Sequence, residues 1–321
     1  MPDAVGSEQR SFLHLSFTFH GVMNTSALPR TRSPGMALAR DVLGLFKLRI
    51  GVLIMITALV GLAITPGPAL APLQILVLAL TVLVASASAG AFNQYVERRS
   101  DRLMARTRRR AFVTGALSPT PAWLLLMAAM LAGSVALAWV MLNGMAALFV
   151  FLGAFFYAVV YTVWLKRRSA LNIVIGGLSG SFAVLAGAAA VDPALGPLPL
   201  LLALVLFLWT PPHFWSLAIA NQGDYAAAGI PMLPVVVGTQ RAAWIVFAST
   251  LALVLASLLP LAFGAGAVYG VGATLAGGHF LRKTWQLARA PSRPKAMGAF
   301  FASLVHLSVL LLAASVDTWL R

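Results

Sequence analysis

Between residues 93 and 110 the chain reads NQYVERRSDRLMARTRRR. Asn93, Glu97 and Asp101 recur at four-residue intervals, so on a helix they share one face. Two carboxylates one turn apart repel by a few tenths of a kcal/mol. A divalent cation between them would reverse that sign. Hard oxygen ligands beside an amide suit Mg²⁺, which keeps several waters and is commonly shared with a substrate phosphate. The same spacing also suits a solvated interfacial helix whose acids pair with its own arginines. Seven arginines fall in these eighteen residues. Arg102, Arg106, Arg108, Arg109 and Arg110 exceed what membrane orientation needs, and guanidinium recognises phosphate bidentately. Acids that hold a metal, with arginines that hold an anion, would suit a diphosphate. Anionic lipid headgroups would account for the arginines, but not for the acids among them.

Eight acids occur in the whole chain. Asp3 and Glu8 lie in the N-terminal stretch, Asp41 and Asp317 near chain ends, and Asp192 reads as a turn residue before Pro193. Glu97, Asp101 and Asp224 remain. A second unusual stretch, LWTPPHFWSLAIANQGDYAAAGIPMLPVVVG, spans residues 208–238. Pro211 and Pro212 there predict a break inside an apolar run, because proline lacks the amide donor and clashes with the carbonyl four residues back. His213 follows directly. A lone histidine in a membrane segment is most often a hydrogen-bonded packing residue, yet intramembrane ionisable groups are also functional candidates. If the segment were helical, His213 would sit about 16 Å below Asp224.

These residues are carried by a very apolar chain. It has 321 residues, 60% hydrophobic and 10% charged, with a mean hydropathy of +0.90. Apolar runs of about 20 residues read as membrane-spanning helices. Nine are expected, at 43–64, 71–93, 121–141, 144–164, 171–191, 197–219, 241–261, 264–280 and 298–316. TPGPALAP (65–72), DPALGPLP (192–199) and PSRP (291–294) are breakers between them. Every basic residue except Arg321 falls before or just inside the first run or in alternate loops. By the positive-inside rule the N-terminus is cytoplasmic and the C-terminus outside. The net charge of +15 is thus a topology signal, and no nucleic-acid partner is expected. Membrane lipids are. The absence of cysteine excludes disulfides, thiolate catalysis and Cys-ligated metals. Arginine outnumbers lysine 19 to 4, which reads as GC-rich, bacterial coding, and hence an inner (plasma) membrane. Residues 1–40 read as a disordered tail or an over-extended start, with residues 41–321 as the transmembrane domain.

The segment at 93–110 resembles the N-x-x-x-(D/E)-x-x-x-D-x-x-M-x-R-T-x-x-R motif of the UbiA-type intramembrane prenyltransferases. YTVWLKRRSALNIVIGG (161–177) and WTPPHFW with DYAAAGIPMLPVV (209–236) are similar to the haem-farnesylating branch of that family. The likeness runs from about Lys47 to the end of the ninth run. It implies an all-α membrane fold of nine transmembrane helices around a central cavity, with a cytoplasmic active site. It also implies transfer of the farnesyl group of farnesyl diphosphate to a vinyl group of haem b, giving haem O, with Mg²⁺ as cofactor. A downstream haem A synthase would be a partner. The resemblance makes Asn93, Glu97 and Asp101 the first metal–diphosphate motif, and Asp224, followed by Tyr225, the second. Arg106, Arg110, Lys166 and Arg167 would contact diphosphate, Asn172 would lie at the substrate, and His213 would face the porphyrin. The metal ligands would be Glu97, Asp101 and Asp224. Glu97 stands where many members have Asp, Ala111 where proline is usual, and Gln222–Gly223 where a charge often precedes the acid. Two other readings stand beside this one. In the first, the acceptor is a quinone precursor or chlorophyllide. In the second, the chain is a lipid-binding or transport scaffold without chemistry.

Overall fold

Pro72, Pro121 and Pro197 each stand at the start of a long helix, where a missing amide costs nothing and the fixed φ already suits the helix. The structure, a computed structural model, describes residues 34–320. Expectations for residues 1–33 lie outside the described residues. The first helices are α1 (Pro34–Leu45), α2 (Leu48–Ala63), α3 (Pro72–Asp101), the short α4 (Ala111–Thr114) and α5 (Pro121–Met141). Residues 34–40 of the expected tail are thus part of α1. α6 (Gly144–Phe155) runs on into a π-helical segment, Phe156–Leu165. Then come α7 (Asn172–Gly176), α8 (Leu178–Val191), α9 (Pro197–Ala220), α10 (Gln222–Ala227) and α11 (Leu233–Val237). α12 (Thr239–Ala256), a 3₁₀ turn at Leu259–Phe263, α13 (Ala267–Arg289) and α14 (Arg293–Trp319) complete the chain. No strand occurs among the described residues.

Seven of these helical stretches are long and apolar enough to cross a membrane. The pair α1–α2, bent by 41° at its break, makes an eighth if counted as one span. The run expected at 264–280 lies in α13, which is not among the seven because its second half carries Arg282, Lys283 and Arg289. Side chains such as Leu125 (74% exposed) and Val140 (77%) face outward, as lipid-facing residues do and as few residues of a soluble surface would.

Helices in lipid gain little from apolar burial against one another, so close approach at small residues holds them together. α2 and α8 meet in this way. A Cβ on Gly187 would collide with the carbonyl oxygen of Ala58 and come within 2.9 Å of the Leu62 amide nitrogen. One on Gly61 would collide with the Val184 carbonyl. Gly187→Val is therefore expected to destabilise the protein by about 1–3 kcal/mol through overpacking. Gly180→Val, at a position with open space within 4 Å, should be neutral. Thermal unfolding in detergent checks this, and equal melting temperatures for the two variants would contradict the backbone-on-backbone contact.

The expected break at Pro211–Pro212 does not occur. α9 continues through both prolines. They are buried where α9 packs against α8, α12 and α14. Packing from several sides holds the helical path despite the lost amides.

Candidate active site

α3 has 30 residues, about 45 Å at 1.5 Å per residue, against about 30 Å of hydrocarbon. It is therefore longer than an upright crossing needs, and its last turns carry Asn93, Glu97 and Asp101. All three are buried, Glu97 to 3% and Asp101 to 0% exposure. Before them runs a string of small buried residues, Ala85, Ala87, Ser88, Ala89, Gly90 and Ala91, which lets neighbouring helices close around this face.

The loop after α3 returns over the helix end. Thr107 donates its hydroxyl to the Asp101 carbonyl at 3.1 Å, and Arg110 donates from Nη1 to Asp101 Oδ2 at 2.6 Å. The same Nη1 lies 4.0 Å from Glu97 Oε2. Met104 is buried with Ile173, Ala218, Tyr225, Ile230 and Met232. That packing ties the loop to α10, where the Arg106 amide donates to Asp224 Oδ2 at 3.4 Å. The M-x-R-T-x-x-R spacing thus has a local explanation. The methionine anchors the loop, the threonine ties it to the helix, and the last arginine returns to the acid.

Opposite α3 stands the π-helical segment. Its wider turn bonds the Lys166 amide to the Tyr161 carbonyl at 2.9 Å, and π turns commonly mark functional sites. It presents Tyr157 and Tyr161 with stacked rings 5.7 Å apart, together with Thr162. Lys166, itself buried, donates from Nζ to Glu97 Oε1. Asn93 donates to Thr162 Oγ1 at 3.0 Å and accepts from Lys47 Nζ at 2.7 Å. Lys47 Nζ also donates to the Tyr157 hydroxyl at 3.1 Å. Lys47 sits in the left-handed region, at φ 49°, in the break between α1 and α2. The bend that separates those helices also swings its side chain onto α3.

Glu97, Asp101, Arg110 and Lys166 therefore form one ion-paired network. Asn93 with Lys47, Tyr157 and Thr162 forms a second, hydrogen-bonded group one turn earlier on α3, and Asp224 adjoins the first through the Arg106 backbone. The other expected site residues stand apart from it. Asn172 is buried and donates to the Lys166 carbonyl at 3.3 Å, a support behind the lysine. Tyr225 packs under the loop. Arg167 is exposed. His213 bonds through Nδ1 to Ser303 Oγ at 2.6 Å and lies between the rings of Trp209 and Phe300, with centroids 4.1 and 4.6 Å away. α9 ends at Ala220, so no continuous helix links His213 to Asp224. Lys47 and Thr162, bonded to Asn93, were not expected at the site as ligand-contacting groups. The sequence offers one sign of Lys47: a lysine entering the first apolar run.

Glu97, Asp101 and Asp224 do not share one coordination shell. Among the described residues no three His, Asp or Glu side chains are grouped to hold a metal ion. Arg110 bridges the first two acids, and Asp224 is held one loop away. The donor set nonetheless suits a hard cation, because Asp101 Oδ1 is buried without a hydrogen-bond partner and all the candidate donors are oxygens. Beside Asp224 opens a cavity of about 620 Å³, lined in part by Arg106, Asn221 and Arg293. Arg110 and Lys166 thus close on Asp101 and Glu97, one loop away from the open cavity at Asp224.

The sequence profile described as "UbiA prenyltransferase family" matches residues 54–307. The chain is 58% identical to "Protoheme IX farnesyltransferase 2" of Paramagnetospirillum magneticum, over 85% of this chain and 94% of that protein. It is 48% identical to "Protoheme IX farnesyltransferase 1" of the same organism, over 87% of this chain and 98% of the other. Among solved structures, a digeranylgeranylglyceryl phosphate synthase superposes with TM-score 0.74 at 18% identity, covering 89% of this chain and 100% of that one. A UbiA homologue from Archaeoglobus fulgidus bound to DMAPP and Mg²⁺ superposes with TM-score 0.68 at 17% identity, covering 84% and 99%. At these identities the structures are alike in fold alone.

Proposed function

Since the chain belongs to the UbiA prenyltransferase family, we propose that it transfers the farnesyl group of farnesyl diphosphate to a vinyl group of haem b, releasing diphosphate and making haem O. The relatives' names support the acceptor and donor. The observation that carries the reading is the buried network of Glu97, Asp101, Lys166 and Arg110 at the end of an apolar bundle. It concentrates charge of both signs at the foot of the loop that reaches Asp224 and its open cavity.

The chemistry follows from that arrangement. Lys47, Lys166, Arg106 and Arg110 take up the charge of the leaving diphosphate, as preorganised cations do. Asp101 and Asp224, with Glu97, would hold Mg²⁺ once Arg110 and Lys166 turn from the acids to the diphosphate, since the three carboxylates are not grouped around one ion as they stand. When bound, that ion neutralises diphosphate charge and makes it a better leaving group. The C1–O bond of the farnesyl chain breaks and its electron pair leaves with the diphosphate. The allylic cation faces the stacked rings of Tyr157 and Tyr161, whose π faces attract positive charge. A haem vinyl group donates its π electrons to C1. Water adds to the cation so formed and loses a proton, leaving the hydroxyethylfarnesyl substituent. No protein nucleophile is required.

The membrane arrangement proposed with this activity is nine crossing helices, α13 among them, in a bacterial inner membrane. The N-terminus and active site are cytoplasmic. The alternation of basic loops supports it.

The test is product mass. Purified protein in nanodiscs, given haem b, farnesyl diphosphate and Mg²⁺, should yield a haem heavier by one farnesyl group and one water, less one proton. Chelation of Mg²⁺ should stop it. Haem recovered unchanged, with a quinone precursor prenylated instead, would overturn the acceptor. No consumption of farnesyl diphosphate with any acceptor would overturn the activity.

A further inference from the structure

We propose that Arg293 binds a carboxylate of the acceptor porphyrin and so sets which edge of the ring enters the site; this rests on the haem reading above. Arg293 opens α14 and lines the 620 Å³ cavity with Arg106, Asn221, Asp224, Leu217 and Met297. Arg293 and Met297 are one turn apart on α14, and Asn221, which caps α9, bonds its amide to the Leu217 carbonyl one turn earlier, so two helix faces form the walls. The same faces continue inward. His213 lies one turn before Leu217, and Phe300 follows Met297. There the walls meet, with Phe300 stacked on His213 and Ser303 bonded to it. The cavity thus carries Arg106, Arg293 and the Asp224 carboxylate, and the His213–Phe300 stack closes the two walls one turn beyond Leu217 and Met297. From Arg293 to Met297, the two α14 residues that line it, the rise is about 6 Å.

Charge adds a second argument. Arg110 and Lys166 are held by Asp101 and Glu97, whereas Arg293 has no ion pair among the described residues. Its guanidinium is available for a carboxylate, which it can grip with two parallel N–H donors. Haem carries both propionates on one edge and its vinyl groups away from them. Propionates held at the mouth turn the vinyl edge inward, toward the apolar interior where a farnesyl chain would lie.

The experiment pairs Arg293→Ala with esterified acceptor. Equilibrium binding is read by absorbance titration of haem b and of its dimethyl ester, without farnesyl diphosphate. KM values for both substrates are read with it. Arg293→Ala should weaken haem binding about tenfold, the size expected of one charge-assisted contact. It should leave the KM for farnesyl diphosphate within about twofold and should bind acid and ester equally. Wild-type protein should discriminate against the ester by a similar factor, and Arg293→Lys should recover part of the difference. Unchanged haem affinity in Arg293→Ala would overturn the proposal. So would equal weakening toward acid and ester, or a rise confined to the farnesyl diphosphate KM, which would assign Arg293 to the diphosphate. Failure of the wild-type protein to farnesylate haem would instead sink the activity itself.

Discussion

Asp101→Asn is expected to lower turnover about 10²–10³-fold, the loss typical when one preorganised electrostatic group is removed from a reacting centre. Asp101 is the most enclosed acid of the network, at 0% exposure. One oxygen is taken by Arg110 at 2.6 Å, and the other has no hydrogen-bond partner. An amide keeps the shape but removes the negative charge on which a hard cation depends. The variant should still fold and insert, because Arg110 is 20% exposed and can turn its freed guanidinium toward water. Asp224→Asn should cause a loss of the same order. Steady-state kinetics and a melting curve together check this. Wild-type turnover in Asp101→Asn would remove that residue from the chemistry.

Lys166→Met should be the most destabilising of the site variants. It leaves the Glu97 carboxyl without its lysine and 3% exposed, with Arg110 4.0 Å away as its nearest remaining cation. Breaking a buried pair by deleting one partner costs about 3–5 kcal/mol, mostly because the other charge stays behind. Adding Glu97→Gln removes that charge, so the double variant should recover much of the lost stability. It should not recover activity, since both the cation for the diphosphate and the acid are gone. Melting temperatures of the two single variants and the double variant give the coupling directly. If Lys166→Met melted like the wild type, the Lys166–Glu97 contact would carry no weight in the fold.

Much of this site was legible because it rests on local spacing. The four-residue repeat of Asn93, Glu97 and Asp101 predicted a shared helix face, and α3 carries that face through to Asp101. The scarcity of acids singled out Asp224, and the loop from α3 does reach it. What the sequence did not disclose depends on tertiary packing. A π-helical path through Phe156–Leu165 has no signature in a uniformly apolar run, yet it brings Tyr157, Thr162 and the capping Lys166 to α3. The left-handed Lys47 looked like one more topology charge until the α1–α2 bend placed it on Asn93. Pro211 and Pro212 signalled a break that surrounding helices override. The carboxylates were expected to share a cation directly. Arg110 and Lys166 instead close on two of them, an outcome that depends on how the 102–110 loop folds back.

The most direct test is a structure with the farnesyl thiodiphosphate analogue and Mn²⁺, read by anomalous scattering. The expected result is metal density bonded to Asp101 and Asp224, with the diphosphate against Lys166 and Arg110 and the farnesyl chain leading past Tyr157 and Tyr161. Analogue bound at the other end of the bundle, or metal with neither aspartate as a ligand, would contradict it.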